Sequence, residues 1–316
     1  MKRIGVVVFP GFQILDMVAI SVFELANLEA GQPEYAVEVI SEQGGMVRSS
    51  SGVEIATQPL GDPAYDTVVV TGAMQIEPSS AALRAFLNDA LAASRRTTSI
   101  CTGAFVLAEA GILDGRHATT HWYHARELQR RFPDTRIDED RIFIVDGSVW
   151  TSAGMTACID LCLALVESDL GVEVSRAIAK KLVVYHRRTG GQSQFSAMLD
   201  LEPKSDRIQD ALSYAKNHLR EPLTVEQLAD VAHLSPRQFS RAFRDETRQS
   251  PAKAIEALRV EAARAMLEAG RHSMEAVAAE TGFIDTERMR RAFLRAFGQP
   301  PQAIKRAARA RCNCTL

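Results

Sequence analysis

The chain has 316 residues, of which 46% are hydrophobic and 24% charged, a composition ordinary for a globular protein of about two domains. It contains no apolar run of about 18 residues, which argues against a membrane-spanning helix. The apolar N-terminus meets Pro10-Gly11 too soon for a secretory signal, so we predict a first strand there. The five cysteines form no paired framework, and we expect a cytoplasmic protein with reduced thiols.

The net charge of −2 conceals an asymmetry between the two ends of the chain. Residues 204–316 contain 20 Lys and Arg against 14 Asp and Glu, which gives +6. Subtraction from the totals leaves 17 against 25, or −8, for residues 1–203. A basic C-terminal third attached to an acidic body is typical of a DNA-binding module that carries a sensor.

The N-terminal two-thirds alternate between strand and helix patterns. Strands are predicted at Ile4–Phe9, Tyr35–Ile40, Asp66–Thr71, Thr97–Ile100 and Ala118–Thr120, with hairpins over Met46–Thr57 and Ile142–Ser152. Helices are predicted from the Pro10-Gly11 turn to Glu29 and over Ser79–Arg95, Ala104–Ala110, Tyr123–Phe132, Thr156–Ser168 and Val174–Arg187. This alternation predicts an α/β fold with a doubly wound, mostly parallel, flavodoxin-like sheet.

The periodic pattern is lost over residues 188–205, which are rich in Gly, Gln and Ser. We therefore predict a first domain over residues 1–190, a linker over 191–205 and a second domain over 206–316.

Cys101 stands where a buried strand turns directly into a helix, in the segment 99–104. This is the arrangement of a nucleophile elbow, which aims a side chain at the carboxyl end of the sheet, where open α/β sheets bind ligands. Backbone N–H groups at the start of the following helix are expected to favour the thiolate over the thiol.

With this elbow, residues 3–190 resemble the class I glutamine-amidotransferase-like superfamily, which includes PfpI-type proteases and isocyanide hydratases. The resemblance implies that the carboxyl group of Asp16 hydrogen-bonds Cys101. PfpI-type proteases place a histidine after the cysteine, whereas this chain has Thr102, as isocyanide hydratases do, and this argues against proteolysis. The predicted ligand cleft is lined by Asp16, Gly72, Ala73, Cys101, Thr102 and His121.

Cys101 has three readings from the sequence: a catalytic nucleophile, a ligand-contacting or redox-sensitive thiol, or a relic at a tight turn. An enzyme would need a base or a second acid near the thiol, and the sequence offers only Asp16 and His121.

The spacing of His117, His121 and His124 would place them on one helical face and could suggest zinc. Because residues 118–120 are predicted to be extended, that face does not form, and we predict neither a metal nor a cofactor.

Residues 224–301 contain one helix-turn-helix pattern written twice. Ala229 and Ala278 lie in the first helices of the two copies, and residues 241–243 match residues 291–293. The offset is 49 residues before the turn and 50 after it. An internal repeat of this kind decides the fold, and here it predicts an all-α domain with two helix-turn-helix units.

The second helix of each unit combines a buried aromatic face with a stripe of arginines. These helices are predicted to begin at Ser235 and near Asp285, and Phe239 and Phe293 lie on their apolar faces. One such stripe alone is equally typical of a solvated surface, but two copies joined by a helix favour binding in a major groove. The residues predicted to contact DNA are Arg237, Gln238, Arg241, Arg244, Thr286, Arg288, Arg291 and Arg295.

Residues 206–308 closely resemble the AraC/XylS family of bacterial transcription regulators, through the Gly-Phe-x-Asp element at 282–285 and the Phe-Gly-x-Pro-Pro element at 297–301. The resemblance implies two units held by a connecting helix, here predicted from Ser250 to Gly270, that enter successive major grooves on one face of DNA.

The two resemblances together predict a cytoplasmic, sequence-specific transcription regulator, an activator, with a sensor and dimerisation domain at its N-terminus. Known members with this domain order respond to small nitrogenous metabolites, which implies an amino acid or amine as effector. Double-stranded DNA, RNA polymerase and a second copy of the chain are the expected partners, and no membrane is expected. The alternative is an isocyanide-hydratase-like enzyme that uses Cys101 and Asp16 and is fused to a DNA-binding module.

Overall fold

A computed structural model of the protein describes residues 1–184, 188, 190, 194, 201, 205–268 and 272–306. The chain divides into two compact units, Met1–Gly190 and Gly191–Leu316. Most of the predicted linker 191–205 and the tail cysteines Cys312 and Cys314 lie outside the described residues. Within the described ranges, no helix combines the length and the apolar character that crossing a membrane requires.

The N-terminal unit is built on a mostly parallel sheet, as predicted. The strands are β1 (Lys2–Val7), β2 (Tyr35–Ser41), β3 (Gln43–Arg48), β4 (Glu54–Pro59), β5 (Thr67–Val70), β6 (Arg96–Ile100), β7 (His117–Ala118), β8 (Arg136–Ile137), β9 (Phe143–Asp146) and β10 (Val149–Ser152). Among the described residues, eight strands form one sheet in the order β3-β4-β2-β1-β5-β6-β10-β9, and β7 pairs with β8. Neighbours from β4 to β10 pair in parallel, while the hairpins β3–β4 and β9–β10 are antiparallel.

Helices connect these strands in the predicted order. They are α1 (Val18–Ala30), α2 (Ala81–Ala93), α3 (Gly103–Glu109), α4 (Trp122–Arg131), α5 (Ala157–Leu170) and α6 (Val172–Lys181). Three details differ from the prediction. The first helix begins only at Val18, because Ile14–Met17 form a 3-10 turn. Helix α6 ends at Lys181, and two residues later Val183 adopts a left-handed φ of +56°. The two-residue strand β8 carries too few residues to show a period and was not predicted.

Each face of the sheet has its own core. Side chains alternate along a strand, so in β1 the side chains of Ile4 and Val6 join the cluster under α1, α5 and α6, while Val7 joins the cluster under α2, α3 and α4. Phe23 of α1 and Phe105 of α3 are fully buried, and burying each contributes roughly 1.5–3 kcal/mol. The helices on the two faces leave the carboxyl ends of β1, β5 and β6 uncovered at one end of the sheet, where the predicted cleft residues lie.

The C-terminal unit is all-helical in its described part, as the repeat predicts. Its helices are α7 (Asp206–Asn217), α8 (Val225–Val231), α9 (Pro236–Thr247), α10 (Pro251–Glu268), α11 (Met274–Glu280) and α12 (Thr286–Phe297). Gly270, the predicted end of the connecting helix α10, lies outside the described residues.

The unit has two hydrophobic cores joined by α10. Phe239 and Phe243 of α9 pack with α7, α8 and the first half of α10. Met289 and Phe293 of α12 pack with α11 and the second half of α10. Each core belongs to one helix-turn-helix unit, so the sequence repeat corresponds to a repeat of the packing.

The two turns have the same backbone conformation at equivalent positions. His233, between α8 and α9, has a φ of +52°, and Gly282, between α11 and α12, has a φ of +74°. Helix α9 begins with a capping box made by Ser235 and Gln238. Helix α12 begins at Asp285, whose side chain accepts a hydrogen bond from a backbone N–H in the first turn. Both predicted helix starts are therefore confirmed.

Candidate effector pocket and DNA interface

Cys101 forms a strained elbow between β6 and α3. Its φ of +55° lies in the left-handed region, which non-glycine residues rarely adopt unless the surrounding structure holds them there. Its backbone N donates a hydrogen bond to the carbonyl of Ser152 at 3.0 Å, and its carbonyl accepts one from Thr120 Oγ1 at 2.7 Å. Bonds from two neighbouring segments thus fix the conformation that the sequence pattern predicts.

Three glycines allow the elbow to pack this closely. A Cβ atom on Gly154 would lie 2.1 Å from the Cβ of Cys101, and one on Gly72 would lie 2.8 Å from the same atom. A Cβ atom on Gly103 would lie 2.5 Å from the carbonyl oxygen of Val70. All three distances are shorter than non-bonded atoms tolerate, so the backbone around the thiol admits no side chain at these positions.

Thr102 ties the elbow to the segment that follows β5. Its Oγ1 accepts a hydrogen bond from the backbone N of Ala73 and donates one to the carbonyl of Ala73, both at 2.8 Å. Ala73 in turn forms an isolated β-bridge with Phe12, and the backbone N of Gln13 donates to the carbonyl of Gly72 at 2.8 Å. The structure therefore brings together the predicted cleft residues of three separate segments.

Asp16 is completely buried in this cluster. Its Oδ2 accepts a hydrogen bond from the backbone N of Gly72 at 2.8 Å, while its Oδ1 has no hydrogen-bond partner in the described part of the chain. Burial raises the pKa of Asp16 to about 7, although the bond from Gly72 opposes the shift. The hydrogen bond to Cys101 that the family resemblance implies is therefore replaced by one to Gly72.

The stabilisation of a thiolate that the helix start gives Cys101 is outweighed by burial. Burial, followed by the nearby charge of Asp16, raises the pKa of Cys101 to about 12. The backbone N–H of Thr102 at the start of α3 lowers the pKa but does not outweigh these effects. Desolvation therefore exceeds the stabilisation from the short helix, and the net effect favours the neutral thiol.

His121 lies at the N-cap of α4, directly after Thr120, the residue that bonds the elbow. Its Nδ1 accepts a hydrogen bond from the backbone N of Tyr123 at 3.4 Å, and burial together with His124 lowers its pKa. Because His117 lies in β7, the three histidines do not share a helical face, as predicted. Trp122 and Tyr123, which were not among the residues predicted from the sequence, are both exposed beside His121.

Helix α9 presents its arginines opposite a buried aromatic face. Arg237, Arg241 and Arg244 are exposed, and among the described residues none of them is joined to a carboxylate. The Oε1 of Gln238, which is also predicted to contact DNA, accepts hydrogen bonds from the backbone N (3.1 Å) and Oγ (2.7 Å) of Ser235. Its amide group is thus oriented by the cap.

Helix α12 presents its arginines differently. The Arg288 side chain is exposed, and the half-buried Thr286 opens the helix. Arg291 pairs with Glu287 at 3.1 Å. Arg290 also pairs with Glu287, at 2.7 Å, and these two arginines hold the pKa of Glu287 down at about 2.

Arg295, the last of the predicted contacts in α12, forms an ion pair with Glu256 of the connecting helix. Glu256, Glu287 and Arg290 were not among the residues predicted from the sequence. The spacing of Glu287 and Arg290, three positions apart on a helix, would have indicated their pairing. The pairing of Glu256 with Arg295 spans 39 residues and has no local signal.

Comparison with protein families gives two matches. Residues 228–307 match the helix-turn-helix domain family, and residues 2–168 match the DJ-1/PfpI family. The second match covers more than half of the chain.

Individual proteins give the same division. The HTH-type transcriptional regulator GbdR of Pseudomonas aeruginosa is 30% identical over 307 residues, which cover 95% of this chain and 83% of that protein. The isonitrile hydratase of Pseudomonas putida is 31% identical over 185 residues, 57% of this chain and 77% of the hydratase. A crystal structure of an AraC family transcriptional regulator from Pseudomonas putida superposes with a TM-score of 0.54 at 25% identity, covering 58% of this chain and 100% of that one.

Proposed function

Because the chain belongs to the HTH-type transcriptional regulators and, through its N-terminal unit, to the DJ-1/PfpI family, we propose a division of labour between its two units. The C-terminal unit binds operator DNA with α9 and α12 in successive major grooves. The N-terminal unit forms a homodimer and binds a small metabolite beside Asp16 and Cys101. The protein acts in the cytoplasm as an activator that contacts RNA polymerase.

The exposed arginines of α9 carry the DNA-binding part of this proposal. Phe239 and Phe243 anchor one side of the helix in the core, so the opposite side, with Arg237, Arg241 and Arg244, is fixed in orientation and open to solvent. Guanidinium groups held in this way can pair with guanine edges or with phosphates in a major groove. The equivalent helix α12 supports a second contact of the same kind.

The unpaired carboxylate oxygen of Asp16 carries the effector part. A buried acceptor without a partner is costly, and a ligand that brings an N–H donor or a positive charge to Oδ1 would remove that cost. Such a ligand would also lower the raised pKa of Asp16. We therefore propose an amine or an amino acid as the effector class, bound against the elbow of Cys101 and Thr102.

The DNA-binding part is tested by fluorescence anisotropy on the protein's own upstream promoter DNA, at several salt concentrations. Arg241→Ala should weaken specific binding by about 1–3 kcal/mol if the arginine reads a guanine, or reduce the salt slope by about 1 if it contacts a phosphate. The matched control is Arg176→Ala, which removes an exposed helical arginine of the N-terminal unit. Unchanged affinity and salt slope in Arg241→Ala would show that α9 is not in the groove.

The effector part is tested by a thermal-shift screen of amines and amino acids. A stabilising compound should raise the unfolding temperature of the wild type, because it binds only the folded protein. If it is the effector, it should also change the affinity of the protein for DNA. Asp16→Asn keeps the shape of the side chain but removes its charge, and it should abolish the shift. An equal shift in the wild type and in Asp16→Asn would place the effector elsewhere.

A second candidate function is an isocyanide-hydratase-like activity that uses Cys101 and Asp16. The observation that favours it is the carboxyl group of raised pKa near a cysteine in a strained elbow, an arrangement suited to proton transfer at neutral pH. The raised pKa of the thiol opposes it. Iodoacetamide labelling near neutral pH separates the two: rapid alkylation of Cys101, compared with the tail cysteines Cys312 and Cys314, would favour the enzyme.

A further inference from the structure

Three elements of the C-terminal unit meet at one point between its two helix-turn-helix units. The first is the loop after α7, whose carbonyl groups at Leu219 and Glu221 are turned toward α10. The second is Arg259, in the middle of α10. The third is Gly282, in the turn between α11 and α12. The loop after α7 belongs to the first helix-turn-helix unit, Gly282 belongs to the second, and Arg259 lies between them.

Arg259 joins the first helix-turn-helix unit to the connecting helix α10 through two hydrogen bonds. Its Nε donates to the carbonyl of Leu219 at 3.2 Å, and its Nη2 donates to the carbonyl of Glu221 at 2.7 Å. No carboxylate in the described part of the chain pairs with this guanidinium. The arginine therefore fixes backbone positions, and it is not held by a counter-ion that could exchange for a DNA phosphate.

Gly282 brings the second helix-turn-helix unit against the carbonyl of Leu219. A Cβ atom on Gly282 would lie 1.8 Å from the oxygen of Leu219 and 2.9 Å from the Nε of Arg259. The left-handed backbone of the turn does not by itself demand glycine, because His233 adopts the same conformation in the first unit with its side chain exposed. Glycine is needed in the second turn because the loop of the first unit lies against it.

We infer that this contact between Leu219, Arg259 and Gly282 fixes the separation of α9 and α12, and so sets the spacing between the two half-sites that the protein accepts in DNA. The inference rests on the proposal that both helices bind major grooves. Helix α10 alone would leave the two units connected at one place and free to bend about it. The contact connects them at a second place.

The consequence for DNA follows from the geometry of the duplex. One inserted base pair displaces a half-site by about 3.4 Å and rotates it by roughly 35°. If α9 and α12 are held rigidly, they cannot adjust to the displaced half-site, so contacts at one half-site are lost. If the two helices can move relative to each other, they can contact both half-sites, but they bind DNA of the correct spacing more weakly.

The test uses the full-length protein and duplexes that the wild type selects from a random-sequence pool. One base pair is inserted between the two parts of the selected motif, and affinities are measured by fluorescence anisotropy. The wild type should lose about ten-fold or more in affinity, the loss expected when specific base contacts are misplaced. Arg259→Ala and Gly282→Ala should bind the original duplex more weakly, and the insertion should cost them less than about three-fold.

The matched control is His233→Gly, which changes the equivalent turn of the first unit and should keep the insertion penalty of the wild type. Arg259→Lys, which can donate to only one carbonyl at a time, should have an intermediate penalty, and it replaces Arg259→Ala if that variant does not fold. An unchanged penalty in folded Arg259 and Gly282 variants would overturn the inference. A wild-type selection that yields no two-part motif would contradict the two-groove proposal itself, and this inference with it.

Discussion

Arg295 of α12 and Glu256 of α10 form a bidentate ion pair, with Nη2 to Oε2 at 2.7 Å and Nε to Oε1 at 3.2 Å. Arg291 is also paired, with Glu287, whereas the arginines predicted to contact DNA from α9 have no carboxylate partner among the described residues. In the proposed DNA complex, Arg291 and Arg295 of α12 would each have to exchange a carboxylate for DNA. This exchange would reduce what the two arginines contribute to affinity.

The first prediction is that Glu256→Gln tightens DNA binding. The pair is 59% exposed at Arg295 and 40% exposed at Glu256, and exposed ion pairs contribute only about 0–1 kcal/mol. Releasing Arg295 should therefore improve affinity by at most about five-fold, measured by fluorescence anisotropy at low salt.

A double-mutant cycle separates this effect from simple removal of a negative charge near DNA. In the Arg295→Ala background, Glu256→Gln should leave the affinity unchanged. Equal tightening in both backgrounds would mean that Glu256 acts only by long-range repulsion and does not hold Arg295.

The second prediction concerns stability and pH. The pKa of Asp16 is about 7 in the folded protein, above the value of about 3.9 in an unfolded chain. Between these two values the folded state holds a proton that the unfolded state has released, so stability falls as pH rises from about 4 to about 7. The expected loss is a few kcal/mol, because each pKa unit corresponds to about 1.4 kcal/mol.

The measurement is urea unfolding across this pH range for the wild type and for Asp16→Asn. The variant cannot titrate at this position, so its stability should fall less than that of the wild type. Glu24→Gln, which removes an exposed carboxylate of α1, should follow the wild-type profile. Parallel profiles for the wild type and Asp16→Asn would show that Asp16 does not titrate in this range.

The sequence predicts the fold well where the signal is local. The alternation of apolar runs identifies the parallel sheet, and the helices predicted to begin at Ser235 and near Asp285 begin there. The repeat of residues 224–301 identifies both helix-turn-helix units. Each of these features is a relation between residues close in the chain or a regular period, so no tertiary contact is needed to find it.

The site was predicted less well because its chemistry depends on distant residues. The elbow at Cys101 follows from the strand-to-helix pattern, but the expected stabilisation of the thiolate is outweighed because burial between segments raises the pKa. The partner of Asp16 is a backbone N–H at Gly72, 56 positions away. The same holds for Arg259, whose two acceptors are carbonyl groups with no sequence signature.

The third prediction concerns the close packing at the elbow. Gly154 (φ +78°) and Gly115 (φ +72°) have similar left-handed backbones, but a Cβ atom on Gly154 would lie 2.1 Å from the Cβ of Cys101, whereas one on Gly115 would meet no atom within 4 Å. Alanine at either position costs about 1–2 kcal/mol of backbone strain. Gly154→Ala should cost clearly more, because Cys101 must also move.

Thermal and urea unfolding of both variants measure the difference in stability, and the effector screen measures its consequence. Gly115→Ala should keep the ligand-induced shift of the wild type, whereas Gly154→Ala should lose it, because the displaced elbow no longer faces Asp16. If the two variants are equally stable and respond equally to ligand, Cys101 can move at little cost to make room for a side chain at position 154. Its strained conformation would then not be held by close packing.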